Sequence, residues 1–532
     1  MPSVPFSKLC TLWACVWIPS VAGLLSSWTT AVPSFLPSSP SLGYKTQQSS
    51  WTESSGSSTS SPTYRRSTLA CSLKDLRTAQ TKNGGVIGDV SYDDGHVCRN
   101  VLISASETGS GVGQRCDVVE KAVTSETLLV DKSHWGIIRV EGEDRLRFLH
   151  SQGTNAFEGA TKGMVVPTCF TSNIGRVVDF CEGVVLDDSV WLLSSPHRWQ
   201  RLLQTMDKFI FPMDKTSVRS LSEKMAIFSL AGPKAAASLA LLNCASCPPP
   251  GRSVEWEFDG EEVVAISHLR PMTRTESSQG SDGDLSGERS TYSLIVPSSI
   301  SAEVWSTLSA SPSVVTAGEQ EWQTLRIKQG FPFPGKELTS DYLPLEAGLW
   351  HAVHFDKGCY IGQESISRVN AYNAVKTSLY GVAFEESASL EEGAALVVEE
   401  TGERQVLPQT RASRITQRAG VVTSMMDPDA AAHPFGLAYI RTKAGGVGLK
   451  VATKEGGARG TVVQVPYPTR SDAESAMPPA KKESDSGGAE AAAASLGLEE
   501  EKTKEKARKA AKLAAMQKKI DALNARRKKT AS

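Results

Sequence analysis

Eight consecutive residues, Lys357-Gly358-Cys359-Tyr360-Ile361-Gly362-Gln363-Glu364, constrain this chain more than any other stretch. They set a cation, a thiol, two glycines, an amide and a carboxylate side by side, which a segment built only for packing does not need. Gly358 and Gly362 release the backbone into conformations that other residues avoid, or let a ligand approach closely. Lys357 is a compact charge suited to an anionic group. Cys359 becomes a nucleophile or soft ligand where a neighbouring cation lowers its pKa. Gln363 and Glu364 offer amide donors and a carboxylate acceptor to a polar heterocycle. The competing reading is a turn around a buried cysteine that packs as a small hydrophobe. The octapeptide taken whole favours a ligand-binding loop.

This octapeptide, with Arg368 after it, resembles the signature of the YgfZ-type folate-binding proteins, relatives of the aminomethyltransferase (T-protein) of the glycine cleavage system. Upstream, Leu325 to Gly330, Pro334 to Leu338 and Pro344 to Trp350 resemble consecutive motifs of that superfamily. The resemblance spans roughly residues 130 to 468 and is nearest to the plant chloroplast members, read as folate-dependent transferases. It implies an α+β fold, a folate-binding core of antiparallel sheets with helices followed by a small C-terminal β-barrel. It also implies tetrahydrofolate, or a folate derivative, as cofactor. The YgfZ side implies iron-sulfur cluster assembly or repair, with Cys359 as the functional thiol and iron-sulfur assembly machinery or client proteins as partners. The T-protein side implies a folate-dependent aminomethyl or one-carbon transferase. A non-catalytic scaffold whose basic tail binds a partner is a third reading. T-protein relatives lack the cysteine, which favours the first.

A chain of 532 residues exceeds one ordinary core, so two or three domains are expected. A net charge of -1 gives no reason to expect nucleic-acid binding. Ten scattered cysteines suit a reducing compartment rather than a disulfide framework. Cys244 and Cys247 form a lone C-x-x-C with no second pair at zinc-finger spacing, so a structural or incidental pair is expected and no metal site. His351 and His354 could share a helical face, but no third ligand stands near.

Both ends differ in composition from the body. Residues 1–80 read as a targeting presequence. An apolar run from Leu9 to Leu25, interrupted by Pro19 and Gly23, is too short for a membrane anchor in the mature protein. A hydroxyl-rich, acid-poor stretch follows, and the two together resemble the bipartite presequences of algae with secondary plastids. The expected location is the plastid (chloroplast) stroma, with the mitochondrial matrix as the alternative. Residues 81–129 read as a linker, 130–375 as the folate-binding domain, 376–468 as the barrel and 469–532 as a disordered tail ending in a basic helix.

Within the body, Trp135 to Val140 reads as a strand and the segment after Asp144 as a helix. Phe148 to Asn155 resembles the opening motif of the family. Three strand-like runs, Val165 to Phe170, Arg176 to Phe180 and Gly183 to Leu193, indicate an antiparallel sheet, with Asn173-Ile174-Gly175 as the first turn. Trp199 to Phe209 carries helical spacing. After Ser378 short strands recur between glycine turns, as in a small barrel. The Ser/Gly/Asp-rich insertion from Gln279 to Ser290 falls where the T-protein family carries a loop whose glutamate contacts folate.

A folate pocket needs a carboxylate for the pterin, apolar or aromatic walls, and cations at its mouth. Glu346 and Glu364 are candidates for the first, Trp350 and Tyr360 for the walls, and Arg326, Lys357 and Arg368 for the last. An ion-paired arginine inside a helix is the alternative for Arg326. Asp179 aligns with the first aspartate of the T-protein Gly-Gly-x-x-Asp-Asp motif, whose role there is catalytic, while its partner is replaced by Phe180. A carboxylate beside an aromatic ring has reason to carry a raised pKa and to move a proton; a strand-edge aspartate is the other reading.

Overall fold

The computed structural model describes residues 73–92, 94–105, 114–270, 291–385, 390–399, 418–426, 434–454 and 458–471. The presequence core, the insertion from Gln279 to Ser290 and the basic tail lie outside them. Two sheets and a barrel organise the rest. The first sheet runs in the order β5 (Val165–Thr171), β6 (Val177–Val185), β7 (Ser189–Ser194), β4 (Gly136–Glu141), β8 (Ser217–Ser220). The second runs β10 (Ser253–Phe258), β11 (Glu261–Ser267), β12 (Thr291–Pro297), β9 (Met225–Ala231), β3 (Thr127–Asp131), β13 (Val314–Ala317). All its pairs are antiparallel except β13 with β3.

The two sheets face each other. Ile137, Val184, Trp191 and Leu193 of the first meet Ile227, Val264, Ile266 and Ile295 of the second in one apolar layer. Helices cover both outer faces. Leu239, Val304, Trp305 and Leu308 pack on Phe228, Leu230 and Leu294, and Phe148, Leu149, Trp199, Leu202 and Met206 on Ile138, Val185 and Leu192. Central strands therefore bury both faces and read as continuous apolar runs, while edge strand β8 alternates between half-buried and exposed.

The sequence expected a break in the second hairpin strand near Glu182-Gly183. Instead β6 runs unbroken through Gly183, and the chain turns at Leu186 to Asp188. A Cβ on Gly183 would stand 2.8 Å from the Phe157 ring, so the glycine serves close approach to that ring rather than a turn. The stretch read as a linker also differs. The helix α1 (Lys74–Lys82), the hairpin β1 (Val86–Ser91) with β2 (Val97–Ser104), and α2 (Gln114–Ser125) occupy it and the end of the expected presequence. Leu76, Leu102, Val119 and Ala122 bury there. Too few apolar positions, broken by glycines and polar residues, left no periodicity to read.

Six strands close the barrel: β14 (Thr377–Phe384), β17 (Phe435–Arg441), β16 (Arg418–Met425), β15 (Ala395–Val398), β18 (Lys450–Thr453) and β19 (Arg459–Val463), which returns to β14. Val382, Leu396, Val422, Ile440, Val451 and Val462 fill it. Between barrel and sheets lies a shared core in which Trp322, Leu325 and Ile327 of the helix α7 (Glu319–Gln329) meet Val130, Phe180, Leu437 and Tyr467. The intervening helices are α3 (Arg145–Gln152), α4 (Trp199–Lys208), α5 (Ala235–Ala240) and α6 (Ser301–Ser309), and α8 (Gln363–Ala371) leads to the barrel.

Candidate functional site

The octapeptide is a tethered loop. Lys357 Nζ donates to the carbonyl oxygens of His150, of Gly153 at 2.7 Å and of Asn155 at 2.7 Å. The end of a helix leaves carbonyls without intrahelical partners, and an ammonium with three N–H groups is suited to collect them. The cation read as an anion-binding group at a pocket mouth thus closes the end of α3. Burial pulls it down to about 7, against Glu158. Tyr360 lies beneath it, ring centroid 4.8 Å away, and packs with Trp350, Leu343, Leu345, Val353 and Ile366. Gly362 opens α8 at φ +84°, and a Cβ there would meet Ser172 O at 2.6 Å. Gly358 lies beside the His150 ring and Gln363 begins α8 half-buried. The Glu158 backbone N–H donates to His150 Nδ1 at 3.1 Å.

The loop's two remaining functional groups face outward. Cys359 is an exposed free thiol. Glu364 and Arg368 pair at 3.0 Å on the exposed face of α8, an arrangement worth a few tenths of a kcal/mol, roughly 0.3–0.5. Glu346 is buried and accepts from Leu343 N at 3.0 Å and from Thr377 Oγ1 at 3.2 Å, holding its own turn to the first barrel strand. Arg326, 2 % exposed, lies in α7 and pairs with Glu337 at 3.1 Å while donating to Ser424 at 3.0 Å. Glu337 in turn accepts from Thr423 and Ser424 at 2.6 Å each, so this pair pins β16 of the barrel to the helix.

Asp179 is fully buried in the middle of its sheet, not at a strand edge. It accepts from the hydroxyls of Ser194 and Ser195 and from the backbone N–H groups of Ser195 and Phe180. Burial raises its pKa, opposed by these hydrogen bonds. Alternation along β6 points it to the helix-covered face, while Phe180 and Glu182 point the other way.

That other face opens on a cavity lined by Lys132, Trp135, Phe180, Glu182, His268, Arg270, Ser293, Phe331 and Tyr467, with room of about 40 Å³. Glu182 Oε2 lies 2.6 Å from His268 Nδ1, and His268 Nε2 lies 2.8 Å from Ser293 Oγ. Arg270 donates to the carbonyls of Tyr467 at 2.9 Å and Pro466 at 3.2 Å, strapping the chain that leaves the barrel. Lys132 Nζ stands 3.3 Å from the Trp322 ring centre and 4.7 Å from that of Trp135. Burial pulls it down to about 7, against the charges of Glu182 and Glu319. The Trp135 indole N–H is buried with no acceptor among the described residues. None of the residues expected from the sequence to hold folate lines this cavity. The signal that would have found Glu182 is strand alternation: two residues after Phe180, it shares that face.

Cys244 and Cys247 pack against the helix-covered face of the second sheet, their thiols directed to the carbonyls of Ser246 and Ala236. Among the described residues no cluster of three metal-binding side chains occurs, and no helix is long and apolar enough to cross a membrane.

Comparison with known proteins adds four findings. Residues 109–251 match the GCVT N-terminal domain. The chain is 31% identical over 351 residues, 66% of its length and 73% of the relative's, to the Arabidopsis thaliana protein named "Putative transferase At1g60990, chloroplastic". It is 26% identical over 256 residues to an aminomethyltransferase of Caldanaerobacter subterraneus subsp. tengcongensis, spanning 63% of that protein. Its fold matches the glycine cleavage system aminomethyltransferase T from Bartonella henselae with a TM-score of 0.58 over 74% of this chain and 98% of the other, at 18% identity.

Proposed function

The chain belongs to the family of the Arabidopsis thaliana chloroplast transferase, and from that premise we propose that it binds reduced folate between its two sheets and acts there as a one-carbon transferase of the aminomethyl type. The observation that carries this reading is the make-up of the cavity: aromatic walls around a half-buried carboxylate, with the Trp135 N–H lacking an acceptor among the described residues. A pterin edge offers an acceptor to that indole and donors to Glu182. Tetrahydrofolate would supply the one-carbon unit, carried on its ring nitrogens. Glu182 would hold the pterin edge, fixed in place by His268. Trp135, Phe180 and Phe331 would pack on the rings. Room of about 40 Å³ takes water rather than a bicyclic ring, so these aromatic walls part on binding.

A second reading, support of iron-sulfur cluster assembly or repair, rests on Cys359. Its exposed thiol at the head of a tethered loop is placed to meet another protein. The barrel limits at about residues 376 and 468 and a plastid location, with the mitochondrial matrix as the alternative, belong to the same proposal; the name of the Arabidopsis thaliana relative supports the plastid.

Titration of the purified chain with tetrahydrofolate, followed by tryptophan emission, tests folate binding. We expect saturable quenching, reduced in Trp135→Phe and shifted at least ten-fold to weaker affinity in Glu182→Gln. Unchanged emission at saturating tetrahydrofolate would end this reading. In a cluster-deficient strain, rescue that survives Cys359→Ala would remove the thiol from the iron-sulfur reading. A fluorescent fusion of residues 1–130 should reach plastids, and secretion or a mitochondrial signal would overturn that location.

A further inference from the structure

We propose that Glu182, His268 and Ser293 form an acid–base–nucleophile array, and that the inter-sheet cavity transfers short acyl groups from esters or thioesters through Ser293. With Glu182 ionised and the His268 ring neutral, the order of atoms sets the proton positions. Ionised Glu182 has only acceptors, so His268 Nδ1, 2.6 Å away, carries the hydrogen. Nε2 of the neutral ring is then a lone pair, and Ser293 Oγ at 2.8 Å donates to it. Ser229 Oγ, 3.0 Å from Ser293 Oγ, donates to Ser293 and leaves its hydrogen bond to His268 intact. Nucleophile, base and orienting carboxylate thus stand in the sequence and at the separations that activate a serine.

A buried network that only satisfies a histidine would have the same bonds. Two features separate the cases. All three side chains line a cavity, where a purely structural network would be packed over. The same cavity contains Lys132, whose Nζ rests on the Trp322 ring, 3.3 Å from its centre. A cation so placed is available to a developing oxyanion. Each group also sits on rigid structure: Glu182 in β6, Ser293 in β12, and His268 directly after β11, held by its own N–H to Thr291 O at 3.0 Å.

In the step, Ser293 Oγ forms a bond to the acyl carbon and its proton passes to His268 Nε2. The carbonyl oxygen takes the electron pair and faces Lys132. Collapse breaks the bond to the leaving alkoxide or thiolate, which takes the proton from His268. Water then gives a proton to the same nitrogen as its oxygen bonds the acyl carbon; the bond to Ser293 Oγ breaks, His268 returns that proton to Ser293, and the carboxylic acid leaves. With the aromatic walls closed, room of about 40 Å³ suits an acyl group of one or two carbons. This inference goes beyond folate binding and stands without it.

The test uses the full chain with a fluorophosphonate probe and p-nitrophenyl acetate. A phosphonyl adduct on the Ser293 peptide of the folded wild-type chain is expected, and its absence would overturn the proposal. Because this readout needs no variant, it does not depend on how any substitution folds. Acetate release should fall at least 100-fold in Ser293→Ala, and equal release there would overturn the proposal as well. Glu182→Gln, which disturbs only the tautomer, should lower kcat by about 10³-fold or more with KM within two-fold. A change confined to KM would reduce Glu182 to a structural group and overturn the array. Tetrahydrofolate quenching retained in Ser293→Ala separates the fate of this inference from that of folate binding.

Discussion

In the loop around Cys359, chemically rich side chains are neighbours along the chain and mostly serve the backbone. In the inter-sheet cavity, Lys132, Glu182, His268 and Ser293 come from four separate places in the sequence and line one space, the last three in contact with one another. Lys357 spends its three N–H groups on carbonyls, Gly362 admits Ser172, and Tyr360 fills a small core. A dense local motif is thus a recipe for one backbone shape, whereas reactive geometry arises where sheets meet.

The comparison predicts that the loop's polar residues cost stability and leave binding intact. The largest effect is expected from Lys357→Met. It strands three carbonyls at the end of α3, two of them accepting at 2.7 Å, and should cost about 3 kcal/mol in urea unfolding. Tetrahydrofolate affinity of the folded fraction should be unchanged; a stable variant with lost folate affinity would move Lys357 back to the ligand.

His351 stands where the two regions touch, edge-on to Phe180 at 6.1 Å and followed in the chain by the loop. Burial, with Arg270 adding, holds it well below its ordinary value, so it stays neutral when folded. Below about pH 6.5 the unfolded chain protonates it and the folded chain does not, so stability falls as pH drops. Wild type should lose about 1.4 kcal/mol more than His351→Gln between pH 7 and pH 5.5. Parallel losses in the two proteins would show that this ring takes up its proton in the folded state.

Asp179→Asn should change stability at pH 7 by no more than about 1 kcal/mol, with folate quenching unaltered. Its raised pKa in the folded state makes the wild type lose stability as pH climbs from the unfolded value near 3.9 toward the folded one, and the amide removes that slope. Loss of quenching would restore Asp179 to the site. The smallest effect belongs to Cys359→Ala, within about 0.5 kcal/mol of wild type. Iodoacetamide on the native chain should modify Cys359 ahead of Cys169 and Cys181, whose thiols burial pushes up; early labelling of either would place them nearer solvent than their packing.

Much of the architecture was legible because it repeats at short period. Alternation found β5, β4 and most barrel strands, helical spacing found Trp199 to Met206, and the resemblance supplied the sheet-plus-barrel plan. β18 (Lys450–Thr453) escaped because four residues carry too little pattern. The cavity escaped for a different reason. Glu182 and His268 are 86 positions apart and meet only because two sheets stack. Asp179 and Glu182 also stand three residues apart on β6, and alternation along a strand sends them to opposite faces.

The seam between the sheets has a practical meaning for anyone preparing this protein. Glu182 belongs to one sheet, His268 and Ser293 to the other, and their contacts tolerate displacements of a few tenths of an ångström. Sliding one sheet by a single residue moves its groups about 3.3 Å, enough to part them while leaving secondary structure and solubility untouched. Serine labelling therefore serves as a vernier for assembly: circular dichroism would rate a misregistered batch and a correct one alike, and only the correct one would take the probe.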